Sequence, residues 1–244
     1  MNRLKDKVAI ITGSTGGIGV GIARLYAAEG AQVIVCGRRE AKGQSVVDMI
    51  AAEGGKASFH AMDITIPESI EKLVEDTANT YGRIDVLVNN AANVGLKDGR
   101  VDEVTLEMWD NIFISDIRGP FYVTKCVLPH MQKNPQGGSI INIGSMAACG
   151  GDLGNTAYAC AKAGVDALTT SVALQYGKDN IRCNCVRPGL IVTPDNEARI
   201  PQVLKDIFLS NIMVNRYGCP EDIGHACVYF GSDEIGRASW RERV

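Results

Sequence analysis

The sequence predicts a doubly wound α/β domain on a parallel sheet, and three observations predict it. Short β-branched runs alternate with longer helical patterns along most of the chain. The runs are apolar almost throughout, as strands buried on both faces are, and a glycine-rich turn joins the first run to the first helix. At 244 residues and 45% hydrophobic content, the chain can bury a large core within one domain.

The elements follow in order. VAIIT at 8–12 predicts the first strand, and TGSTGGIG at 12–19 leads straight into a helix reaching Glu29. QVIVC at 32–36 predicts the second strand and residues 39–52 the second helix; KASFHAM at 56–62 and residues 67–81 repeat the pattern. DVLVNN at 85–90 is the fourth strand, followed by one long helix over 106–131, then SIINI at 139–143 as the fifth. TAYACAKAG, 156–164, opens a further helix because alanine is the strongest helix former, and IRCNCVRP at 181–188 is the sixth strand. This β-α-β-α order implies ligand binding beyond the carboxyl ends of the strands. No internal repeat, low-complexity tract or interdomain linker interrupts it.

Net charge is −3 and the basic residues are scattered, which points away from nucleic acid or a membrane surface and toward a small-molecule partner. The start, MNRLKDKVAIITGS, holds too short an apolar run for a signal segment, and no stretch approaches a membrane span, so a cytoplasmic protein is expected. Eight cysteines include no CxxC pair and are expected to be reduced, small core residues. His60, His130 and His225 lie far apart in sequence, so no metal site is expected.

The glycine-rich turn suits a pyrophosphate. Glycines let the backbone approach a ligand closely, while the helix N-terminus offers unpaired N–H groups and partial positive charge. The second strand ends VIVCGRRE, so Gly37 stands where an acid would meet a ribose 2′-hydroxyl, and Arg38 and Arg39 follow with guanidinium groups shaped for a 2′-phosphate. NADP(H) is therefore favoured over NAD(H). Tyr158 and Lys162 stand four residues apart on the alanine helix and share one face. A surface helix with a packed Tyr and a solvated Lys would show the same spacing.

Together, TGSTGGIG, Asp63 after the third strand, NNAA at 89–92, Ser145 thirteen residues before Tyr158, Lys162, and PGLIVT from Pro188 resemble the short-chain dehydrogenase/reductase family over residues 7–234. The resemblance implies a Rossmann-type sheet with cofactor phosphates on Gly13, Thr15, Gly17, Ile18 and Gly19, and the adenine near Asp63 and Ile64. It also implies cofactor contacts at Asn90, Ala91, Pro188 and Gly189, and at Ile191 and Thr193 by the nicotinamide. Tyr158 would exchange the proton that accompanies hydride transfer to a carbonyl, and Ser145 would hold the substrate oxygen. Lys162 would hold the nicotinamide ribose and draw the phenol down from its ordinary ~10 by about 1–3 units.

Two features depart from the family pattern. The family carries an Asn seven residues after a Trp and three before a Gly on the long helix; in WDNIFISDIRGPFY that place is Asp116, kept as a candidate catalytic position. Asn111, five residues upstream, is too far away to replace it. The end, EIGRASWRERV, lacks the family's final strand and resembles the translated end of a sequencing adapter, so residues 1–234 are expected to form the domain and 235–244 an atypical tail.

The expected activity is hydride transfer between NADP(H) and a secondary alcohol or ketone of hydroxysteroid, sugar or xenobiotic type. A 3-oxoacyl-thioester reductase, or a catalytically weak dinucleotide-binding sensor or scaffold, are the alternatives. Residues 195–213, rich in Ile, Leu, Phe and Met, are expected to form a substrate lid for an apolar ligand. A homo-oligomer is expected, a dimer if the last strand is missing.

Overall fold

Six strands, β1 (Val8–Ile11), β2 (Gln32–Gly37), β3 (Lys56–Ala61), β4 (Val86–Asn89), β5 (Gly138–Ile143) and β6 (Ile181–Val186), form one sheet in the order β3-β2-β1-β4-β5-β6. Every pairing is parallel. The computed structural model describes residues 2–92, 97–198, 200–236 and 239, except the side chains of Leu204 and Asn211. The strand order reverses between β1 and β4, which opens a crevice at their carboxyl ends.

Helices cover both faces. On one lie α1 (Gly17–Ala28), α2 (Glu40–Ala52) and α9 (Pro220–Gly231); on the other lie α3 (Pro67–Tyr81), α5 (Gly119–Met131) and α7 (Thr156–Tyr176). The period of two along a strand divides β1 between the two cores. Ala9 and Ile11 pack with Ile22, Tyr26, Ile50 and Val228, while Val8 and Ile10 pack with Leu73, Val127 and Val172. This double burial is why the strands read as continuous apolar runs.

The remaining helices are α4 (Leu106–Phe113), the single turn α6 (Ala147–Gly150) and α8 (Gln202–Asn211). The long helix expected over 106–131 forms without a break, but it is not α-helical throughout: a π-helical turn, Ile114–Arg118, joins α4 to α5. Ser115 causes the irregularity locally, its hydroxyl bonding back to the carbonyls of Asn111 and Ile112, each at 3.2 Å. Helix α9 lies outside the elements expected from the sequence and packs closely on α1: a Cβ on Gly21 would come within 2.5 Å of Pro220, and the buried Tyr26 hydroxyl donates to the Cys227 carbonyl at 2.7 Å.

All eight cysteines are free thiols, but the expectation of core residues holds for three of them. Cys36, Cys183 and Cys227 are buried, whereas Cys149 on the single turn α6 and Cys160 on the outer face of α7 are exposed. No seventh strand occurs among the described residues, and β6 is the sheet's edge. There the Ser239 hydroxyl bonds both the N–H and the C=O of Cys183, each at 3.2 Å.

Candidate active site at the carboxyl ends of the strands

The loop after β1 is shaped by what surrounds it. Gly13 has φ +66° and a Cβ there would lie 2.8 Å from the Ala91 backbone, so only glycine fits. A Cβ on Gly19 would lie 2.5 Å from the Gly13 carbonyl; this glycine lets α1 pack under the loop and does not face the cavity. Gly17, at φ +53°, turns the chain into α1. Thr12 and Asn90 tie the loop to β4. The Thr12 hydroxyl accepts from the N–H groups of Asn90 and Ala91 at 3.0 Å, and the Asn90 amide donates to the Thr12 carbonyl at 2.9 Å.

This loop forms one wall of a cavity of about 710 Å³. Gly13, Thr15, Gly17 and Ile18 line it, with Arg38 and Arg39 where β2 ends and Asp63 and Ile64 after β3. Lys42 adds a third cation to the β2 wall. Gly37 lies beneath Thr15, whose methyl and hydroxyl would sit 2.8 and 2.9 Å from a Cβ, so no carboxylate fits at that point. The Asp63 carboxylate accepts from the Thr65 hydroxyl at 2.7 Å and backbone N–H at 2.9 Å. Asn90 and Ala91 line the floor; Pro188, Gly189, Ile191 and Thr193, from the segment after β6, line the far wall. A glycine turn at a helix N-terminus, beside cationic walls, fits a dinucleotide in shape and charge.

Ser145, Tyr158 and Lys162 line the same cavity. Ser145 follows β5, and α7 presents Tyr158 and Lys162 one turn apart, the Lys162 ammonium lying 5.5 Å from the Tyr158 ring centre. Lys162 is not a solvated surface lysine. It is 3% exposed, and its Nζ donates to the Ile143 carbonyl at 3.1 Å. The Asp116 carboxylate lies behind it, Oδ2 4.0 Å from Nζ, while the Ser115 hydroxyl holds Oδ1 at 2.6 Å. Asp116 thus stands behind Lys162, beside the cavity that Lys162 and Ser115 line. Gly119, three residues on, permits this placement: a Cβ there would lie 2.5 Å from Ile64.

The electrostatics correct one expectation. Tyr158 is pushed above its ordinary value, chiefly by burial and further by Asp116 and Asp152, while its hydrogen bond with Ser145 pulls it down. The expected lowering by Lys162 does not prevail, since the hydroxyl is desolvated in a half-enclosed site. Burial pushes Lys162 below its usual value, and Asp116 holds it up.

Two carboxylates escaped the sequence reading. Asp98, in the loop before α4, accepts from the backbone N–H groups of Ala157 at 3.2 Å and Tyr158 at 2.9 Å, capping α7 from outside the helix. Asn155, the adjacent residue that sequence would nominate as the cap, makes no such side-chain bond. Asp195, at the start of the expected lid, accepts from the Gly17 N–H at 3.1 Å. Neither had a spacing signal, because each acts across a long stretch of chain. Among the described residues, no group of three or more His, Cys, Asp or Glu is placed to hold a metal ion, and no helix is long and apolar enough to cross a membrane.

The chain's similarity to known proteins agrees with this geometry. A family profile described as Enoyl-(Acyl carrier protein) reductase matches residues 13–238. The chain is 39% identical, over 97% of its length and 90% of the relative's, to a 7alpha-hydroxysteroid dehydrogenase of Clostridium sardiniense. It is 37% identical to the 3-oxoacyl-(acyl-carrier-protein) reductase FabG of Thermotoga maritima, over 95% of this chain and 93% of that one. Its fold matches the solved structure of a short-chain type dehydrogenase/reductase from Mycobacterium ulcerans with a TM-score of 0.90 at 28% identity, covering 96% of this chain and 86% of that one. With the glycine cradle, the parallel sheet and the Tyr-x-x-x-Lys helix in place, the chain belongs to the short-chain dehydrogenase/reductase family of nicotinamide-dependent oxidoreductases.

Proposed function

We propose that this oxidoreductase transfers a hydride between NADP(H) and a secondary alcohol or ketone. The observation that carries the reading is the convergence of Ser145, Tyr158 and Lys162 on one cavity with the glycine cradle of α1. When bound, the nicotinamide supplies or accepts the hydride. Ser145 hydrogen-bonds the substrate oxygen and sets its geometry, and Tyr158 donates a proton to that oxygen in reduction or takes it in oxidation. Lys162, anchored by the Ile143 carbonyl, holds the nicotinamide ribose and presents positive charge beneath the phenol. Asp116, clamped by Ser115, balances that charge.

NADP(H) is favoured over NAD(H) because Gly37 leaves no place for a ribose-binding acid while Arg38, Arg39 and Lys42 surround the place a 2′-phosphate would take. Arg38→Ala is expected to weaken NADPH by about 1.5–3 kcal/mol and NADH far less, measured by fluorescence titration of both. Equal losses would remove the 2′-phosphate assignment.

The substrate is an apolar alcohol or ketone of hydroxysteroid or xenobiotic type, or a sugar. Support comes from the hydroxysteroid dehydrogenase relative and from the exposed apolar side chains Val203, Ile207, Phe208 and Met213 on and after α8. A second reading, reduction of 3-oxoacyl thioesters, is favoured by the FabG relative. Against it, the loop AANVGLKDGRVDE, 91–103, lacks a basic cluster for an acidic carrier protein; residues 93–96 of that loop lie outside the described residues. Oxidation of NADPH against a panel of steroid, sugar, xenobiotic and 3-oxoacyl-thioester ketones tests both. Turnover of none of them, with intact NADPH binding, would support the sensor or scaffold instead.

Residues 1–234 are taken as the catalytic unit; beyond them, Ile235 is buried and Ser239 bonds the backbone of Cys183 at β6. The protein works in the cytoplasm as a dimer. An apolar surface formed by Phe113, Ile114, Ile117, Phe121 and Leu168, across α4, the π turn, α5 and α7, supports the pairing.

A further inference from the structure

We infer that Asp195 is an internal anion: it occupies the donor at the start of α1 that the reading above gives to the cofactor's pyrophosphate, and so ties the lid to the cradle. The inference rests on that reading of the cavity as a dinucleotide site. Three observations carry it. The Asp195 Oδ2 accepts from the Gly17 N–H at 3.1 Å and lies 2.9 Å from where a Gly16 Cβ would be, so the carboxylate is seated in the glycine turn itself. Asp195 and the glycine turn line the same cavity, along with Arg38. The turn that carries Asp195 is braced from within. The Asn196 side chain accepts from the Thr193 N–H at 2.8 Å and donates to the Ile191 carbonyl at 3.0 Å.

A carboxylate oxygen and a phosphate oxygen make the same demand on a backbone N–H at a helix N-terminus, and one N–H cannot satisfy both. A carboxylate left beside a pyrophosphate would also repel it. Cofactor entry therefore requires Asp195 to leave. Whether the side chain rotates away or the braced 193–196 turn shifts with it, the bond that ties this segment to the glycine turn is lost. That segment is linked to α8, where the Lys205 ammonium donates to the Glu197 carbonyl at 2.8 Å. Release of Asp195 thus frees the apolar segment that would cover a substrate, which couples cofactor binding to movement of the lid. The fraction of protein with Asp195 seated lowers the apparent cofactor affinity in proportion.

The test compares wild type with Asp195→Asn, which removes the charge, and Asp195→Ala, which removes the contact. Dissociation constants for NADPH and NADH are measured by fluorescence titration, and amide exchange over residues 200–213 is followed without cofactor. Both nucleotides are expected to bind Asp195→Ala about threefold tighter or more, by a common factor, since the pyrophosphate is common to both. Amide exchange over 200–213 should accelerate in the cofactor-free variant. Affinity that is unchanged or weakened in both variants overturns the inference, as does unchanged exchange. Wild type that binds neither nucleotide would sink the cofactor-site reading itself. In that case the exchange experiment still decides whether Asp195 holds the lid.

Discussion

At the scale of single residues, the site is governed by how far Tyr158 and Lys162 have been taken from water. Burial pushes the phenol up and the ammonium down, so each is moved toward its neutral form. Asp116 acts on both. It raises Tyr158 directly, and it favours the charged form of Lys162 from 4.0 Å. In oxidation Tyr158 must be deprotonated, so a raised phenol pKa places the rising limb of the rate profile at higher pH. Asp116→Asn removes the negative charge and is expected to move that limb to lower pH, with a rate equal to or above that of wild type, read from the pH dependence of alcohol oxidation. A shift to higher pH would mean that keeping Lys162 charged is the larger effect, and a tenfold fall in rate would give the acid a role of its own. The Asp at this place was legible by counting from Trp109. Its clamp by Ser115 was not, because the π turn that brings Ser115 and Asp116 inward shifts the helical register by one residue.

At the scale of elements, each strand and most helices were written in local pattern, because burial on both faces makes a strand uniformly apolar and the glycine turn marks where α1 begins. What escaped was decided by contacts between distant segments. Helix α7 starts with two N–H groups capped by Asp98, which lies 59 and 60 positions away in sequence. Gly99 adds a backbone bond, accepting from the Thr156 N–H at 3.2 Å. No local rule finds such a cap. Asp98→Ala is expected to destabilise the protein by about 0.5–2 kcal/mol, as loss of an N-cap does, and to lower the melting temperature by a few degrees. Since Tyr158 is one of the two capped residues, kcat should fall while NADPH affinity holds. Asp98→Asn, which keeps an acceptor oxygen, should recover part of both losses. A melting temperature unchanged in Asp98→Ala would show that Asn155 or solvent caps the helix equally well.

At the scale of the whole molecule, the order of strands places every piece of the site at one end of the sheet. The cradle follows β1, the cationic wall follows β2, Ser145 follows β5 and the lid follows β6. Sequence order alone predicted this convergence, since a doubly wound sheet brings the carboxyl ends of its strands together whatever chain lies between them. It could not predict the closed state of the cradle, in which Asp195 reaches across 178 positions to Gly17. The central claim is that a half-buried phenol on α7 moves the proton for hydride transfer inside a nicotinamide site. Turnover of NADPH with a responsive ketone, measured alongside the NADPH dissociation constant in wild type and Tyr158→Phe, tests it most directly. The account predicts that the variant binds NADPH as wild type does and loses essentially all turnover, because the ring remains and only the proton donor is gone. A variant that keeps more than a few percent of the wild-type rate would contradict it.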